Sequence, residues 1–365
     1  MKIKELTRIL EKVAPPQYQE GYDNAGLIVG SPMTDITGVL VCLDATEAVI
    51  LEAIERGCNI VVAHHPIVFK SLKKLNGKNY VERTVILAIK NDVAIYAIHT
   101  NLDNMLHNGV NTKIAEKLGL TNLKILAPKR QILMKLTNFV PIADTQKVLD
   151  ALYKAGAGEI GNYRNCSFRT EGIGTFKPTG AANPYIGTLE KDEEVVENRI
   201  EVIFPSHLER SILTALRAAH PYEEVAYYMQ TLENDNQEVG AGIVGELAEP
   251  MTERAFLQFL KTTMKAGVVR FTHPLSKNVK KIAVCGGAGS FLLPQAIGAG
   301  ADVFVTADYK YHEFFDADGR ILIADIGHFE SEQFTIDLLI EILTKEKPDF
   351  EIFSTKTLTN PIFYL

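Results

Sequence analysis

The sequence predicts an α/β protein whose chain is interrupted by an inserted α+β domain. Near both ends of the 365-residue chain, short runs of apolar residues alternate with stretches of helical spacing. In the middle, the order of predicted elements is strand, helix, strand, strand, helix, strand, which is the ferredoxin-like order. We therefore expect two similar α/β portions, 1–126 and 236–365, that form one body, and an inserted ferredoxin-like domain at 127–235.

The first α/β portion opens with an amphipathic helix pattern at residues 1–14, which ends at two prolines and lacks the composition of a signal peptide. The following apolar runs and helical spacings predict strands over 38–43, 59–63 and 93–98 and helices over 46–56, 80–91 and 109–118. Short, unbroken apolar strands separated by helices are typical of a parallel or mixed sheet that is covered on both faces.

The same signals predict the elements of the inserted domain and of the second α/β portion. In the inserted domain we expect strands over 134–140, 163–169, 199–204 and 225–230, and helices over 144–155 and 208–219. The stretch 172–187, rich in Gly, Thr and Pro, is expected to be a long loop inside this domain. After a polar hinge at 233–238 we expect strands over 281–285, 301–305 and 320–324, and a last helix from about Glu330 to beyond Leu343.

Composition and charge exclude several classes of protein. A net charge of −7 and a pI of about 5.8 do not favour a surface for nucleic acid or for an anionic membrane. The sequence has no run of roughly 18 to 20 apolar residues, the length that spans a bilayer. No two of the four cysteines form a Cys-x-x-Cys pair, so neither a zinc–thiolate site nor a disulfide framework is expected. A reducing cytoplasm is the simplest compartment for such a chain.

A pair of histidines, His64 and His65, comes directly after the predicted strand 59–63 and before Pro66. Neighbouring side chains of a regular strand point to opposite faces, but at a strand end that turns, adjacent imidazoles can diverge toward two nearby points. This geometry suits two metal ions roughly 3.5 to 4 Å apart, the spacing of bimetallic hydrolases. The alternative is a pair of structural histidines that cap a sheet edge, and the pair alone does not decide between the two.

A second motif, from His99 to Asp103, follows the predicted strand 93–98 in the same way. Ligands of α/β sheets bind beyond the carboxyl ends of the strands, so Asp103 is expected at the same rim as the histidine pair. A carboxylate that joins imidazoles is a common set of ligands for a divalent metal. Taken alone, Asp103 is better explained as a turn or helix-cap residue.

A third motif contains His328 and Glu332, which follow the predicted strand 320–324. Because the two residues are four apart, they share one face of a helix that begins there. Glu332 can bridge two metal ions through its two oxygens, although acidic residues also occur in first helical turns because they favour the helix dipole. Each motif is weak alone, and together the three predict a dinuclear metal site.

Two further features have open interpretations. The glycine-rich turn 286–289 either brings backbone amides close to a phosphate or permits tight packing of strand on helix, and the latter is favoured. His312 follows the strand 301–305 and is either a proton donor at the same rim or an ordinary surface residue. His99 and His312 are the candidate catalytic residues.

These motifs, in this order, resemble those of the NIF-three-like family, whose bacterial members are often described as GTP cyclohydrolase type 2 homologs. The matching segments are Asp23-Asn-Ala-Gly-Leu27, Leu43-Asp44, His64-His65-Pro66, His99-Thr-Asn-Leu-Asp103, Gly286-Gly-Ala-Gly289 and Gly327-His328 with Ser331-Glu332. The resemblance covers both α/β portions, and the segment 127–235 resembles the CutA/PII-like domain of a longer subfamily.

The resemblance implies that the metal ligands are His64, His65, Asp103, His328 and Glu332, and that the chain forms a toroidal homo-hexamer with the metal sites facing its interior. Two departures are present. Tyr22 stands where the family usually has Trp, and Thr306-Ala307-Asp308 stands where it usually has Thr-Gly-Glu or Thr-Gly-Asp. The second departure bears on the backbone near Asp308 and is expected to touch none of the proposed ligands.

The leading functional hypothesis is a metal-dependent hydrolase that acts on a nucleotide or a related heterocycle. Two divalent cations lower the pKa of a bridging water and polarise the bond under attack, and zinc, iron, manganese or cobalt suit this ligand set. The resemblance implies opening of the imidazole ring of GTP, while the sequence shows no residues that would recognise guanine.

Two other hypotheses belong to different classes. One is a non-catalytic regulatory or scaffold protein that responds to a metal or a nucleotide, which the long stretch 172–187 motivates. The other is a ring that encircles nucleic acid, against which the net acidity argues. No membrane association is expected.

Overall fold

The computed structural model describes residues 1–346 and 348–365. These residues form two compact units. The first unit joins Met1–Pro128 to Gln237–Leu365, and the second unit is Lys129–Asn236. No helix among the described residues is long and apolar enough to cross a membrane.

The strands, in chain order, are β1 Gly26–Val29, β2 Gly38–Asp44, β3 Ile60–His65, β4 Ala94–Ala97, β5 Thr121–Lys129, β6 Leu133–Pro141, β7 Phe168–Phe176, β8 Glu193–Pro205, β9 Tyr227–Leu232, β10 Asn236–Thr252, β11 Arg270–Phe271, β12 Asn278–Ala288, β13 Val303–Ala307, β14 Leu322–Asp325 and β15 Glu351–Ser354. The α-helices are α1 Ile3–Val13, α2 Glu47–Glu55, α3 Tyr80–Lys90, α4 Thr100–Asp103, α5 Val110–Lys117, α6 Thr145–Lys154, α7 Glu209–Ala219, α8 Glu253–Thr263, α9 Leu293–Gly298, α10 His328–Glu332 and α11 Thr335–Thr344.

The first unit contains two mixed sheets. One has the strand order β1-β4-β3-β2-β15, in which β15, β2, β3 and β4 run parallel to one another and β1 pairs antiparallel with β4. The other has the order β11-β14-β13-β12-β10-β5, with a parallel centre formed by β12, β13 and β14. In both sheets the carboxyl ends of the parallel strands lead into the segments that carry the candidate ligands, as expected for α/β sheets.

Each sheet is covered on both faces, and alternate residues of one strand enter different cores. In β2, Val39 and Val41 belong to a core shared with the second sheet and with α1 and α11, while Leu40 and Cys42 pack under α2 and α3. In the second sheet, Phe304 belongs to a separate cluster under α9. The shared core connects the two sheets directly, so the strand ends of one sheet are held in a fixed position relative to those of the other.

The second unit is a four-stranded antiparallel sheet of order β7-β8-β6-β9 with two helices, α6 and α7. The chain passes through the elements in the order strand, helix, strand, strand, helix, strand. The helices and one face of the sheet form a core of their own, and residues such as Leu136, Val202 and Leu216 are buried in it.

One expectation for this unit is wrong. The stretch 172–187 is not a loop from its start, because β7 extends from Phe168 to Phe176 and includes its first five residues. The long strand β8 pairs with every residue of β7, so Gly172 and Gly174 find ladder partners in Glu197 and Val195. The strand expected over 163–169 therefore lies several residues later in the chain.

Two other elements differ from expectation. The polar hinge expected at 233–238 is partly strand, since β10 begins at Asn236 and continues for 17 residues. Several glycines interrupt the apolar pattern of β10 and conceal it, and at Gly240 an added Cβ would collide with the backbone of Ala127 and Pro128. The last helix begins at His328 and is broken after Glu332, where the Gln333 side chain donates hydrogen bonds to two backbone carbonyls.

Candidate metal centre

The two sheets of the first unit bring together the five residues that the sequence analysis singled out as ligands. His64 and His65 end β3, and Asp103 ends the short helix α4 that follows β4. His328 and Glu332 begin and end α10, which follows β14 of the other sheet. Residues far apart in the chain thus meet at one rim.

The carboxylate of Glu332 is the centre of this group. Its Oε2 atom lies 2.9 Å from His65 Nε2, 3.1 Å from His328 Nε2 and 3.9 Å from His64 Nε2. The side chain of Glu332 is only 3% exposed. Within this arrangement, two overlapping groups have ligand atoms close enough for one metal ion each: His65, His328 and Glu332, and His64, Asp103 and Glu332. Glu332 belongs to both groups.

The surroundings of His64 and Asp103 indicate whether the candidate ligands fit a metal ion. His64 Nε2 and Asp103 Oδ1 are both buried and have no hydrogen-bond partner, and they lie 3.5 Å apart. Buried polar atoms without partners are costly, so a pair of them that faces the same point requires an explanation. An imidazole nitrogen and a carboxylate oxygen are both ligands for divalent metals, and the pair therefore fits a metal ion.

A hydrogen bond at Nδ1 fixes the orientation of each of the three candidate ligand histidines. His64 Nδ1 donates to the Ile98 carbonyl at 2.8 Å, and His65 Nδ1 donates to Asp44 Oδ1 at 2.8 Å. His328 Nδ1 donates to Asp308 Oδ2 at 2.6 Å. With Nδ1 occupied as a donor, the Nε2 lone pair is directed into the site, which is the arrangement found in metal-binding histidines.

His99, a candidate catalytic residue, lies beside the ligand histidines. Its ring centroid is 5.3 Å from that of His64 and 5.4 Å from that of His65. Its Nδ1 donates to Asp23 Oδ1 at 2.8 Å, and Asp23 also accepts hydrogen bonds from the backbone and hydroxyl of Thr100. The Nε2 atom of His99 is therefore available for proton transfer or for a metal ion.

His312, the other candidate, is not brought to this group. It is exposed on the 3₁₀ turn 311–317, and its ring lies 5.1 Å from Tyr311 and 6.4 Å from Phe315. Its ring contacts are therefore with surface aromatic residues, and none of them connects it to the candidate ligands.

Burial and charge set the protonation of the metal-free site. Burial lowers the pKa of His64 to about 4, so this imidazole is neutral at pH 7. Burial also opposes the charged forms of His65 and His328, but the carboxylates outweigh it. Asp44 and Glu332 raise the pKa of His65 to about 9, and Glu332 and Asp308 raise the pKa of His328 to about 11.

The two carboxylates of the site shift in opposite directions. Burial and the nearby charge of Glu332 hold the pKa of Asp103 well above its usual range. Burial acts on Glu332 as well, but hydrogen bonds and charge from His328 and the other imidazoles hold the pKa of Glu332 well below its usual range. The metal-free site therefore holds an ionised Glu332 between protonated imidazoles.

Side chains that support the candidate ligands were not predicted from their own sequence context. Asp308, which follows the departure at Ala307, accepts the hydrogen bond of His328. Its backbone adopts a φ of 57°, a left-handed conformation that aspartate tolerates. Asp44 is held in turn by the Thr359 hydroxyl, which donates to Asp44 Oδ2 at 2.7 Å. Only the family motifs, which include Leu43-Asp44, pointed toward the importance of Asp44.

The glycine-rich turn packs against the ligands. The Gly286 amide donates to the Asn111 side chain, and the Gly287 amide donates to the Ser331 hydroxyl. Both amides are therefore engaged by the protein, which supports close packing over phosphate binding. A Cβ at Gly287 would lie 2.5 Å from Glu332 Oε1 and 3.2 Å from His328 Cε1. The missing side chain of Gly287 makes room for the central carboxylate.

Four of the five candidate ligands, all but the fully buried His64, line an open cavity of about 720 Å³ within the first unit. Four aromatic side chains line it and are largely exposed, namely Tyr22, Phe69, Tyr80 and Phe291. No Lys or Arg is among the described residues that line it. A cavity of this size with aromatic walls suits a flat organic ligand.

Comparisons with known proteins agree over nearly the whole chain. A profile of the family described as Duf34/NIF3 (NGG1p interacting factor 3) matches residues 1–361. A Bacillus subtilis relative described as a GTP cyclohydrolase 1 type 2 homolog is 38% identical over 99% of this chain and 98% of its own length. A relative of the same description from Halalkalibacterium halodurans is 38% identical over 98% of this chain and 97% of its own length.

Solved structures give the same picture. The crystal structure of a Bacillus cereus protein related to NIF3 is 37% identical and superposes with a TM-score of 0.87, covering 100% of this chain and 99% of that one. A Staphylococcus aureus protein is 29% identical with a TM-score of 0.79, covering 100% of this chain and 99% of that one. The mixed α/β fold with several sheets is thus shared with these proteins.

Gly287→Ala tests the packing of the glycine turn against Glu332. The added methyl group would displace the central carboxylate, and the φ of 61° would strain the backbone. We expect metal affinity, measured by calorimetric titration, to fall by about 10- to 100-fold, the effect usual for disturbed support of a ligand. Gly298→Ala is the control, because no atom lies within 4 Å of its added Cβ. Equal affinity in both variants would show that the turn does not position Glu332.

Metal uptake is predicted to release protons. His65 and His328, with pKa values of about 9 and 11, are protonated at pH 7 and must lose the Nε2 proton to coordinate. Apparent affinity should therefore rise with pH from 7 to 9. Calorimetry in buffers of different ionisation enthalpy should detect release of at least about two protons per chain at pH 7, one from each of these imidazoles. Uptake without proton release would contradict the coordination of these two imidazoles.

Proposed function

The chain belongs to the Duf34/NIF3 family, and on that premise we propose that it is a metal-dependent hydrolase acting on a nucleotide or a related heterocycle. We propose two divalent cations per chain, held by His64, His65, Asp103, His328 and Glu332. The curated relatives described as GTP cyclohydrolase 1 type 2 homologs suggest the imidazole ring of GTP as a first substrate to test.

The observation that carries this proposal is the sharing of Glu332 between two ligand groups. His65 Nε2 and His328 Nε2 lie 2.9 and 3.1 Å from Glu332 Oε2, and His64 and Asp103 complete the second group. A carboxylate that belongs to two groups is suited to bridging two ions, which is the arrangement of bimetallic hydrolases. The unpartnered His64 Nε2 and Asp103 Oδ1 support the second ion in particular.

The chemistry divides between the ions and the side chains. Bound at this site, the two ions would supply a water of lowered pKa and a Lewis acid. Asp103 and Glu332 offset the positive charge, and the imidazoles hold position. His99 is placed to carry a proton, because the hydrogen bond of its Nδ1 to Asp23 leaves Nε2 directed toward the site.

The cavity lining supports a heterocyclic substrate. Exposed rings of Tyr22, Tyr80 and Phe291 provide flat surfaces on which a base or pteridine-like ring can stack. Because no Lys or Arg is among the described lining residues, a phosphate group would depend on the metal ions for its counter-charge. A screen that compares GTP, GMP and guanosine would show how much the phosphates contribute.

A second candidate function is a metal- or nucleotide-responsive regulator. The observation that favours it is that Lys129–Asn236 forms its own compact unit with its own hydrophobic core. We propose that the segment 127–235 is an inserted CutA/PII-like domain with a regulatory role. Deletion of this segment separates the two functions, since a hydrolase should keep metal-dependent turnover and a regulator should lose its response to ligand.

The remaining proposals concern assembly and location. We propose a toroidal homo-hexamer, as the family resemblance implies, with a reducing cytoplasm as its compartment. The free thiols, of which Cys42, Cys58 and Cys285 are buried, are compatible with that compartment. The metal is zinc, iron, manganese or cobalt, and elemental analysis of freshly purified protein identifies which.

Glu332→Gln tests the bridging carboxylate. The substitution keeps the shape but removes the charge that two ions would share, so we expect both metal content and hydrolysis to be lost, with affinity reduced by at least about tenfold. Elemental analysis and a nucleotide-hydrolysis assay measure the two effects. Glu249→Gln, at an exposed position, is the matched control. Unchanged metal content in Glu332→Gln would refute the assignment of the site.

His99→Gln separates proton transfer from metal binding. If His99 carries a proton, turnover should fall by about 100-fold or more while both ions remain bound, because general acid–base catalysis contributes effects of this size. Elemental analysis and the pH profile of kcat are the measurements, and His273→Gln at an exposed position is the control. Loss of one ion in His99→Gln would instead make His99 a ligand.

A further inference from the structure

The second unit has an open cleft of about 810 Å³ that the proposed hydrolase function does not use. One face of its sheet is packed against α6 and α7, and Ile200, Val202 and Phe204 point into that core. Arg199 and Glu201 alternate with these residues along the same strand, so they point to the opposite face, where they line the cleft. The loop 177–192 closes over part of this face.

The walls of the cleft are aromatic. At one end the rings of Phe139 and Tyr228 meet edge to face at 5.6 Å. At the other end Tyr222 lies 6.1 Å from Phe176 and 6.3 Å from Tyr185. Such ring pairs leave faces and edges that a bound molecule can contact. A molecule that binds there would bury a large apolar area of these rings.

The charges of the cleft are mainly negative. Five glutamates line it, Glu171, Glu197, Glu201, Glu223 and Glu224, and its one cation among the described lining residues is Arg199. Arg199 forms a salt bridge with Glu201, in which Arg199 Nη2 lies 2.5 Å from Glu201 Oε1. Glu223 accepts a hydrogen bond from the Asn183 amide and so holds the covering loop. The excess of carboxylates disfavours a phosphate-bearing ligand.

Glu197 is the most informative of these carboxylates. It is only 7% exposed, and its Oε1 atom accepts a hydrogen bond from the Tyr222 hydroxyl at 2.7 Å. No described residue donates a hydrogen bond to its Oε2 atom, which lies over Gly174, where a Cβ would collide with it. Among the described residues, this largely buried carboxylate has no paired cation and its second oxygen has no donor, so a positively charged donor in the cleft would complement it.

A metal ion does not satisfy this position. Among the described residues, the groups of three or more ligand atoms close enough for a metal all lie in the first unit. The glutamates of the cleft form no such group, whereas the aromatic walls suit an organic body. A cationic nitrogen beside aromatic rings is also attracted by their faces.

We propose that this cleft binds a small organic cation, an amine or amidine attached to an aromatic or apolar body. The cationic nitrogen donates to Glu197, and the body lies between the ring pairs Phe139–Tyr228 and Phe176–Tyr222. The site is separate from the metal centre, so this proposal stands or falls independently of the hydrolase function.

Benzamidine, a flat amidinium, is the probe, and benzamide is its neutral counterpart of nearly equal shape. We expect calorimetric titration of the full-length chain to show one benzamidine site per chain, with benzamide binding at least about tenfold more weakly. Glu197→Gln should weaken benzamidine by at least about tenfold, and Glu159→Gln, an exposed residue of the same unit, should leave it unchanged.

Tyr185→Ala covers the case in which Glu197→Gln fails to fold. Tyr185 is an exposed loop residue, so its truncation should preserve the fold while it weakens benzamidine by about threefold. Equal binding of benzamide and benzamidine, or full affinity in folded Glu197→Gln, would overturn the proposal. Binding that is seen only when dilution dissociates an oligomer would also overturn it, because a second copy of the chain would then be the occupant of this face.

Discussion

The carboxylate of Glu332 lies almost fully buried between imidazoles that belong to both sheets of the first unit. A charge removed from water in this way is tolerated only when it is neutralised at close range. In the metal-free protein the protons on His65 and His328 neutralise it, and the two proposed cations would take their place. The rest of the site follows from this constraint, including the oxygen acceptors behind each histidine and the missing side chain at Gly287.

The fold makes that charge arrangement possible by joining two sheets through one core. Residues such as Val41 and Val62 of the first sheet and Val284 and Val305 of the second share a single hydrophobic cluster. The shared core fixes the carboxyl ends of two sets of parallel strands opposite each other. Side chains from positions 65 and 332 can then meet within hydrogen-bonding distance without long, mobile loops.

The sequence was sufficient to single out the five candidate ligands that the fold brings together, because the segments that carry them each follow an apolar strand. It was insufficient for the supporting residues. The hydrogen bond from the Thr359 hydroxyl to Asp44 joins positions 315 residues apart, and the sequence around either residue does not indicate it. The strand through Gly172 and Gly174 was hidden for a related reason, since its pairing with β8 rather than local propensity determines it.

The central claim is that each chain binds two metal ions, and the ratio of bound metal to protein at saturation tests it most directly. Full-length protein is stripped with a chelator, dialysed to equilibrium against manganese, zinc, cobalt or ferrous ion in turn, and analysed for metal and protein content. The structure predicts a plateau of about two ions per chain with at least one of these metals, because two ligand groups share Glu332. A plateau at one ion or none with every metal would contradict the account.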